Sequence, residues 1–134
     1  MEIDRVRYYP MRLIVADANA LIAPFKLKFN IDSELTRLFG SYQIVVPEPI
    51  IGELEKLAAT NMNAKAALKL AHTREIHPTK SRGDDSVLEL AKKLKGYVMT
   101  NDKELIQRAR YKKLRVLRVK DGGKLAAEEN WMLD

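Results

Sequence analysis

Apolar positions along the chain switch between short continuous runs and stretches spaced for a helix face. Arg12 to Ala16 (RLIVA) is a continuous run ending at Asp17, the pattern of a strand buried on both faces of a parallel sheet. A helical stretch follows as far as Pro24, and a second runs from about Asp32 to Phe39, with Asp32 or Ser33 as cap and Gly40 as stop. Tyr42 to Val46 (YQIVV) reads as the next strand, closed by Pro47, and Pro49 suits the first turn of a helix reaching about Ala59. Asn61 or Asn63 can cap a helix through Ala71, and Glu75 to His77 is a short candidate strand. The stretch RGDDSVLE opens a helix to Leu94, ended by Gly96. Tyr97 to Thr100 (YVMT) reads as a strand, Asn101 or Asp102 starts a basic helix, and Leu114 to Val119 (LRVLRV) is a last strand. Strands alternating with helices predict a three-layer α/β/α sandwich around a mainly parallel sheet.

With no repeat, low-complexity stretch or linker, the 134 residues read as one domain. Residues 1–10 precede the patterned sequence as an N-terminal extension, and Met11 is a candidate start alternative to Met1. The chain has no cysteine, which excludes a disulfide framework and a thiolate metal site. His72 and His77 are too few for a histidine-built metal centre, and surface or packing roles are expected for both. No apolar run approaches the roughly 20 residues needed to span a bilayer. A soluble, cytoplasmic protein is therefore expected.

In a sheet of this kind the functional crevice lies beyond the carboxyl ends of the strands. Asp17 ends the first strand and Asp102 follows the YVMT strand by two residues, so both belong at that edge. For the acids in helices, direction follows from counting about 100° per residue. After Pro49, with Ile50 at zero, Leu54 falls near about 40°, Leu57 near about 340° and Glu53 near about 300°, at the margin of that face. In the RGDDSVLE helix, with Val87 at zero, Asp84 falls near about 60°, inside the apolar sector, and Asp85 near about 160°, facing water. With Leu105 at zero, Asp102 also falls near about 60°. Each acid taken singly is explained as a helix cap, and Asp85 can serve as a cap or bind an outer water. Capping does not explain why acids on separate elements turn to one side. Converging carboxylates repel by roughly 1 to 4 kcal/mol per close pair, and a divalent cation removes that penalty. All-oxygen ligation suits Mg²⁺ or Mn²⁺, and a pair of such ions can activate a water and stabilise the leaving oxygen of a phosphodiester.

Four stretches in order, VADANALI, PEPIIGELEKL, GDDSVLELAKKL and YVMTNDKELIQRA, resemble the motifs of the PIN-domain family of metal-dependent ribonucleases. The resemblance runs over nearly everything from Met11 to Val119. It implies a three-layer PIN-like fold with strand order of the 3-2-1-4-5 type and Mg²⁺- or Mn²⁺-dependent cleavage of single-stranded RNA. Asp17, Glu53, Asp84 and Asp102 would be the catalytic and metal-binding carboxylates, with Asn19 and Thr100 orienting Asp17 and a water at the site. The Asp84-Asp85 pair and the TND of Thr100 to Asp102 look closest to archaeal PIN proteins related to ribosomal-RNA-processing nucleases. Many small PIN proteins are instead VapC toxins neutralised by a VapB antitoxin, so the implied partners are RNA, an antitoxin protein and a second copy of the chain.

The net charge of +6 is concentrated in residues 103–120, where eight Lys or Arg stand against one Glu. Lys103, Arg108, Arg110, Lys112 and Lys113 are candidates for holding an RNA backbone as charges, without reading sequence; a solvated helix face is the plainer alternative. Two other readings compete with a nuclease. One is a non-catalytic scaffold binding RNA or protein, whose acids only cap helices. The other is a receiver- or phosphatase-type Mg²⁺ phosphotransfer domain, though receivers carry an adjacent acidic pair after the first strand where only Asp17 stands here. Tyr8, Tyr9, Trp131 and Met132 are expected to pack onto the domain or contact another molecule.

Overall fold

A computed structural model describes residues 11–128; the N-terminal extension, Tyr8, Tyr9, Trp131 and Met132 lie outside them. Six strands form one sheet in the order β3-β2-β1-β4-β5-β6. These are β1 (Arg12–Ala16), β2 (Tyr42–Pro47), β3 (Glu75–His77), β4 (Tyr97–Thr100), β5 (Val116–Lys120) and β6 (Lys124–Glu128). All neighbours pair in parallel except β5 and β6, which form an antiparallel hairpin. Six helices connect them: α1 (Ala18–Lys26), α2 (Ile31–Phe39), α3 (Glu48–Ala58), α4 (Met62–His72), α5 (Gly83–Leu94) and α6 (Lys103–Tyr111). The fold is the α/β/α sandwich expected from the pattern.

β1 lies at the centre because Ile14, Val15 and Ala16 are fully buried, an arrangement available only to a strand covered on both faces. It pairs with β2 on one side and β4 on the other. Chain order runs outward from β1 in opposite directions, so the topological switch point falls between β1 and β4. The Asp17 N–H bonds the Met99 carbonyl at 3.2 Å, which brings the ends of these two strands together there.

Several local expectations change. α1 does not stop at Pro24 but carries it inside, ending at Lys26; the proline lies near the C-terminal end, where the turn is closed instead by Leu27 N–H to Ala23 and Phe29 N–H to Pro24. α2 begins at Ile31 and is capped by Asn30, whose side chain accepts from Ser33 N–H, rather than by Asp32 or Ser33. Asp32 instead takes a two-pronged bond from Arg74. Gly96 is not the left-handed residue after α5: Lys95 is, with φ 55°. Its N–H and that of Gly96 return to the Lys92 and Ala91 carbonyls, the double closure of a Schellman end. Glycine is required at 96 for another reason, since a Cβ there would stand 2.7 Å from the Leu13 carbonyl oxygen of β1.

Strand β6 was not anticipated. It follows the turn at Gly122 and Gly123, both at positive φ, and is tied to α2 through Glu34, which accepts from Leu125 N–H, and Arg37, which donates to the Leu125 carbonyl. Gly123 also presses on Phe29, where a Cβ would approach to 2.7 Å. This contact joins the hairpin turn to the loop after α1.

Candidate active site

Asp17 is the N-cap of α1, with Oδ1 accepting from Ala20 N–H at 2.8 Å. Its other oxygen accepts from the Thr100 hydroxyl, and Thr100 is itself fully buried at the end of β4. Thr100 Oγ1 in turn accepts from Asp102 N–H at 3.0 Å. Asp102 caps α6 by accepting from the N–H groups of Glu104 and Leu105. One chain of hydrogen bonds therefore runs from the end of β1 through β4 to the start of α6.

Asp84 and Glu53 enter from neighbouring helices that pack together, with α5 also lying on β1, β2 and β4. Asp84 stands at the start of α5, yet no side chain caps that helix. The turn before it is held from outside: Glu89 accepts from Lys80 N–H, Ser81 N–H and the Ser81 hydroxyl. Ser86, fully buried, donates to the Gly83 carbonyl. Glu89 was not singled out in the sequence; an acid one turn and a half into a helix carries no local signal of a loop folded back onto it. Neither Asp84 nor Glu53 makes a hydrogen bond or ion pair among the described residues.

The phase argument holds for α5 and needs correction for α3. Asp84 is half-buried while Asp85 is 63% exposed. Asp85 does not cap the helix; it pairs with Arg108 on α6. On α3 the buried face is Ile50, Ile51 and Leu54, while Leu57 is 39% exposed. That face is centred near about 45° on the same wheel, so Glu53 sits roughly 105° from it and is accessible to solvent.

Three of the acids are raised by burial and by the charges of other acids. Asp17, 5% exposed, is pushed from 3.8 up to about 6, chiefly by burial, with the hydrogen bonds from Thr100 and Ala20 opposing and the charges of Asp84 and Glu53 adding to the rise. Glu53 is raised by burial and by Asp84. Asp84 is raised by burial and by Asp102, against a lowering from Arg108. These are carboxylates from four elements in one negative field. As they stand, no three of them close into a cluster within metal-holding reach among the described residues. The donor set is all oxygen, which fits a hard divalent cation, and Glu53 and Asp84 are the two members whose side chains make no hydrogen bond among the described residues.

The supporting and basic candidates separate. Thr100 bonds Asp17 directly, whereas Asn19 is exposed and lines a groove beside the site. Arg108 is taken by Asp85, and Arg110 pairs with Glu128 on β6 at 2.6 Å. Lys103, Lys112 and Lys113 remain exposed, with no ion pair among the described residues. No helix of the described residues is long and apolar enough to cross a membrane.

Residues 14–121 match a family model described as a PIN like domain. The chain is 33% identical over 133 residues to ribonuclease VapC9 of Archaeoglobus fulgidus, covering 96% of this chain and 98% of that protein. It is 34% identical over 105 residues to ribonuclease VapC4 of Methanocaldococcus jannaschii, covering 71% of this chain and 80% of that one. Its fold superposes on the PIN domain endonuclease Utp24 with a TM-score of 0.75 and 26% identity, over 87% of this chain and 91% of that one. A domain of a functionally unknown protein from Methanocaldococcus jannaschii shares the fold alone, with a TM-score of 0.60 and 17% identity over 88% of this chain and 94% of that one. With its strand order, its acids at the β1/β4 switch point and these similarities together, the chain belongs to the PIN-like domain family.

Proposed function

We propose that the protein is an endoribonuclease that cuts single-stranded RNA with the help of Mg²⁺ or Mn²⁺, leaving a 5′-phosphate and a 3′-hydroxyl. The observation that carries this reading is the hydrogen-bond chain joining Asp17, Thr100 and Asp102 at the ends of β1 and β4, with the charges of Glu53 and Asp84 acting on Asp17 and raising it. Asp17, Glu53, Asp84 and Asp102 would hold the ion. When bound, it would offset their repulsion and supply the acidity that makes a water nucleophilic at neutral pH. Asp17 is the fixed member, clamped by Ala20 N–H and Thr100. Thr100 keeps its carboxylate in one orientation and links it to Asp102. Glu53 and Asp84 supply the adjustable oxygens. Lys103, Lys112 and Lys113 offer charge for the RNA backbone.

Between the two family uses, similarity to ribonuclease VapC9 across nearly the whole of both chains supports a VapC-type role, with an antitoxin protein as inhibitory partner. A direct test is cleavage of a labelled single strand in Mn²⁺ with and without EDTA. Cleavage that survives EDTA, or that Asp17→Asn protein performs undiminished, would overturn the proposal. The scaffold reading draws on the capping bonds of Asp17 and Asp102. It requires that Mn²⁺ leave the melting temperature unchanged, whereas a held ion raises it by mass action.

A further inference from the structure

A groove of about 360 Å³ runs beside the acids, between the end of α1 and the β5–β6 turn. Its apolar side includes Ile22 and the exposed Leu27; its polar side carries Asn101 and Asp121, with Lys26 and Lys120 along it. Two of its lining residues adjoin acids along the chain, Asn101 immediately before Asp102 and Asn19 two residues after Asp17. Its volume is at the small end of the roughly 300–1,000 Å³ typical of small-molecule sites, the scale of one nucleotide unit rather than of a duplex.

The walls are fixed in advance of any ligand. On one side, Leu27 N–H to Ala23 and Phe29 N–H to Pro24 lock the loop after α1. On the other, Gly123 N–H bonds the Lys120 carbonyl at 3.1 Å. Gly123 then packs on Phe29 closely enough that a Cβ there would stand 2.7 Å from its ring, which couples the two walls. A flat apolar flank, an amide and a carboxylate offering both donor and acceptor, and two flanking ammonium groups are the requirements of an unstacked base: a face to lie on, an edge to bond and phosphates to neutralise.

We infer that this groove is a base-reading subsite for the nucleotide adjoining the scissile phosphate. Asn101 and Asp121 bond the base edge, Leu27 and Ile22 lie against its face, and Lys26 and Lys120 hold the neighbouring phosphates. The inference rests on the nuclease reading above and adds sequence preference to it, which the basic face of α6 does not supply.

The test is a randomised single-stranded RNA pool, cut in Mn²⁺ and sequenced at the cut ends, with wild type, Asn101→Ala, Asp121→Ala and the double variant Lys26→Ala/Lys120→Ala. Wild type is expected to enrich one base at one position flanking the cut. Asn101→Ala and Asp121→Ala should each reduce that enrichment roughly 10-fold, a readout that a mere loss of rate does not move. The lysine variant should slow cutting of all sequences alike. A wild-type profile without base preference, or one left unaltered by both Asn101→Ala and Asp121→Ala, overturns the subsite while leaving the nuclease intact. The unaltered profile is the result required if the groove takes a peptide of a partner protein instead. A pool left uncut by wild type overturns the nuclease reading itself, and the subsite with it.

Discussion

Replacing Asp17 by asparagine should stabilise the metal-free protein at neutral pH while abolishing cleavage. The displacement of Asp17 from 3.8 to about 6, at about 1.4 kcal/mol per pH unit, means that ionising it costs the folded state about 3 kcal/mol. Between these two values the folded protein binds more protons than the unfolded chain, so the stability of unfolding falls as pH rises through the interval and stays low above it. Asparagine carries no charge at any pH. Its oxygen can still accept from Ala20 N–H, but its amide nitrogen faces Thr100, where the carboxylate had accepted the hydroxyl proton; exchanging that bond costs about 1 kcal/mol. The net expectation is a gain of about 2 kcal/mol at about pH 8 in EDTA, which shrinks and reverses to a small loss near about pH 4. For a domain of this size it corresponds to a rise of several degrees, roughly 5–10 °C, in melting temperature. Denaturant unfolding of both proteins across this pH range measures the difference directly. If Asp17 acted only as a helix cap, its ionised form would be the stabilised one, so the substitution would destabilise most at neutral pH and least in acid; that opposite slope, or a flat difference, would refute the electrostatic argument.

Three further outcomes are expected. Thr100→Val removes the hydroxyl that donates to Asp17 and accepts from Asp102 N–H, and should lower kcat about 10-fold or more with little change in KM in steady-state cleavage, while Thr100→Ser restores most of the loss. Asp84→Asn should eliminate cleavage whereas Asp85→Asn, which only releases Arg108 from an exposed pair, retains most of it; equal effects in the same assay would contradict the separation of the two acids by helical phase. Gly96→Ala places a methyl group 2.7 Å from the Leu13 carbonyl oxygen, and should destabilise by about 1–3 kcal/mol, read as a lower denaturant midpoint.

The layer architecture was legible because buried parallel strands write themselves as unbroken apolar runs, and two acids because Asp17 and Thr100 to Asp102 follow such runs immediately; the strand order out to β5 came only from the resemblance to the PIN-domain family. β6 was not, since KLAAE lacks β-branched residues and owes its strand form to pairing with β5 and to the Glu34 and Arg37 bonds from α2. Gly122 and Gly123 were the available signal for that hairpin. Pro24 misled as a stop because proline removes its own helical N–H donor, yet α1 carries on only two residues beyond it, to Lys26. Glu53 was judged from a stripe drawn through Leu57. Ile51 is buried instead, and the packing of α3 against α4 and α5 rather than the wheel decides which side of it is inside. The groove was invisible for a different reason: its residues come from α1, the end of β4 and the β5–β6 turn, and only the pairing of β4 with β5 brings them together.

The four acids are held in two different ways, and the difference bears on the stability of the proposed site. Asp17 and Asp102 each satisfy backbone N–H groups at a helix start, so the fold already requires an oxygen acceptor at both places. Their negative charge is partly offset by the positive ends of α1 and α6. Glu53 and Asp84 accept no hydrogen bond among the described residues, and although Arg108 offsets part of the charge of Asp84, their environment raises both. If all four were locked in contact, the repulsion would fall wholly on the folded state. The arrangement also explains why the sequence signal was ambiguous at Asp17 and Asp102, since there the cap and the site candidate are the same oxygen atoms, and why Asp84, which caps nothing, is the most discriminating acid of the four.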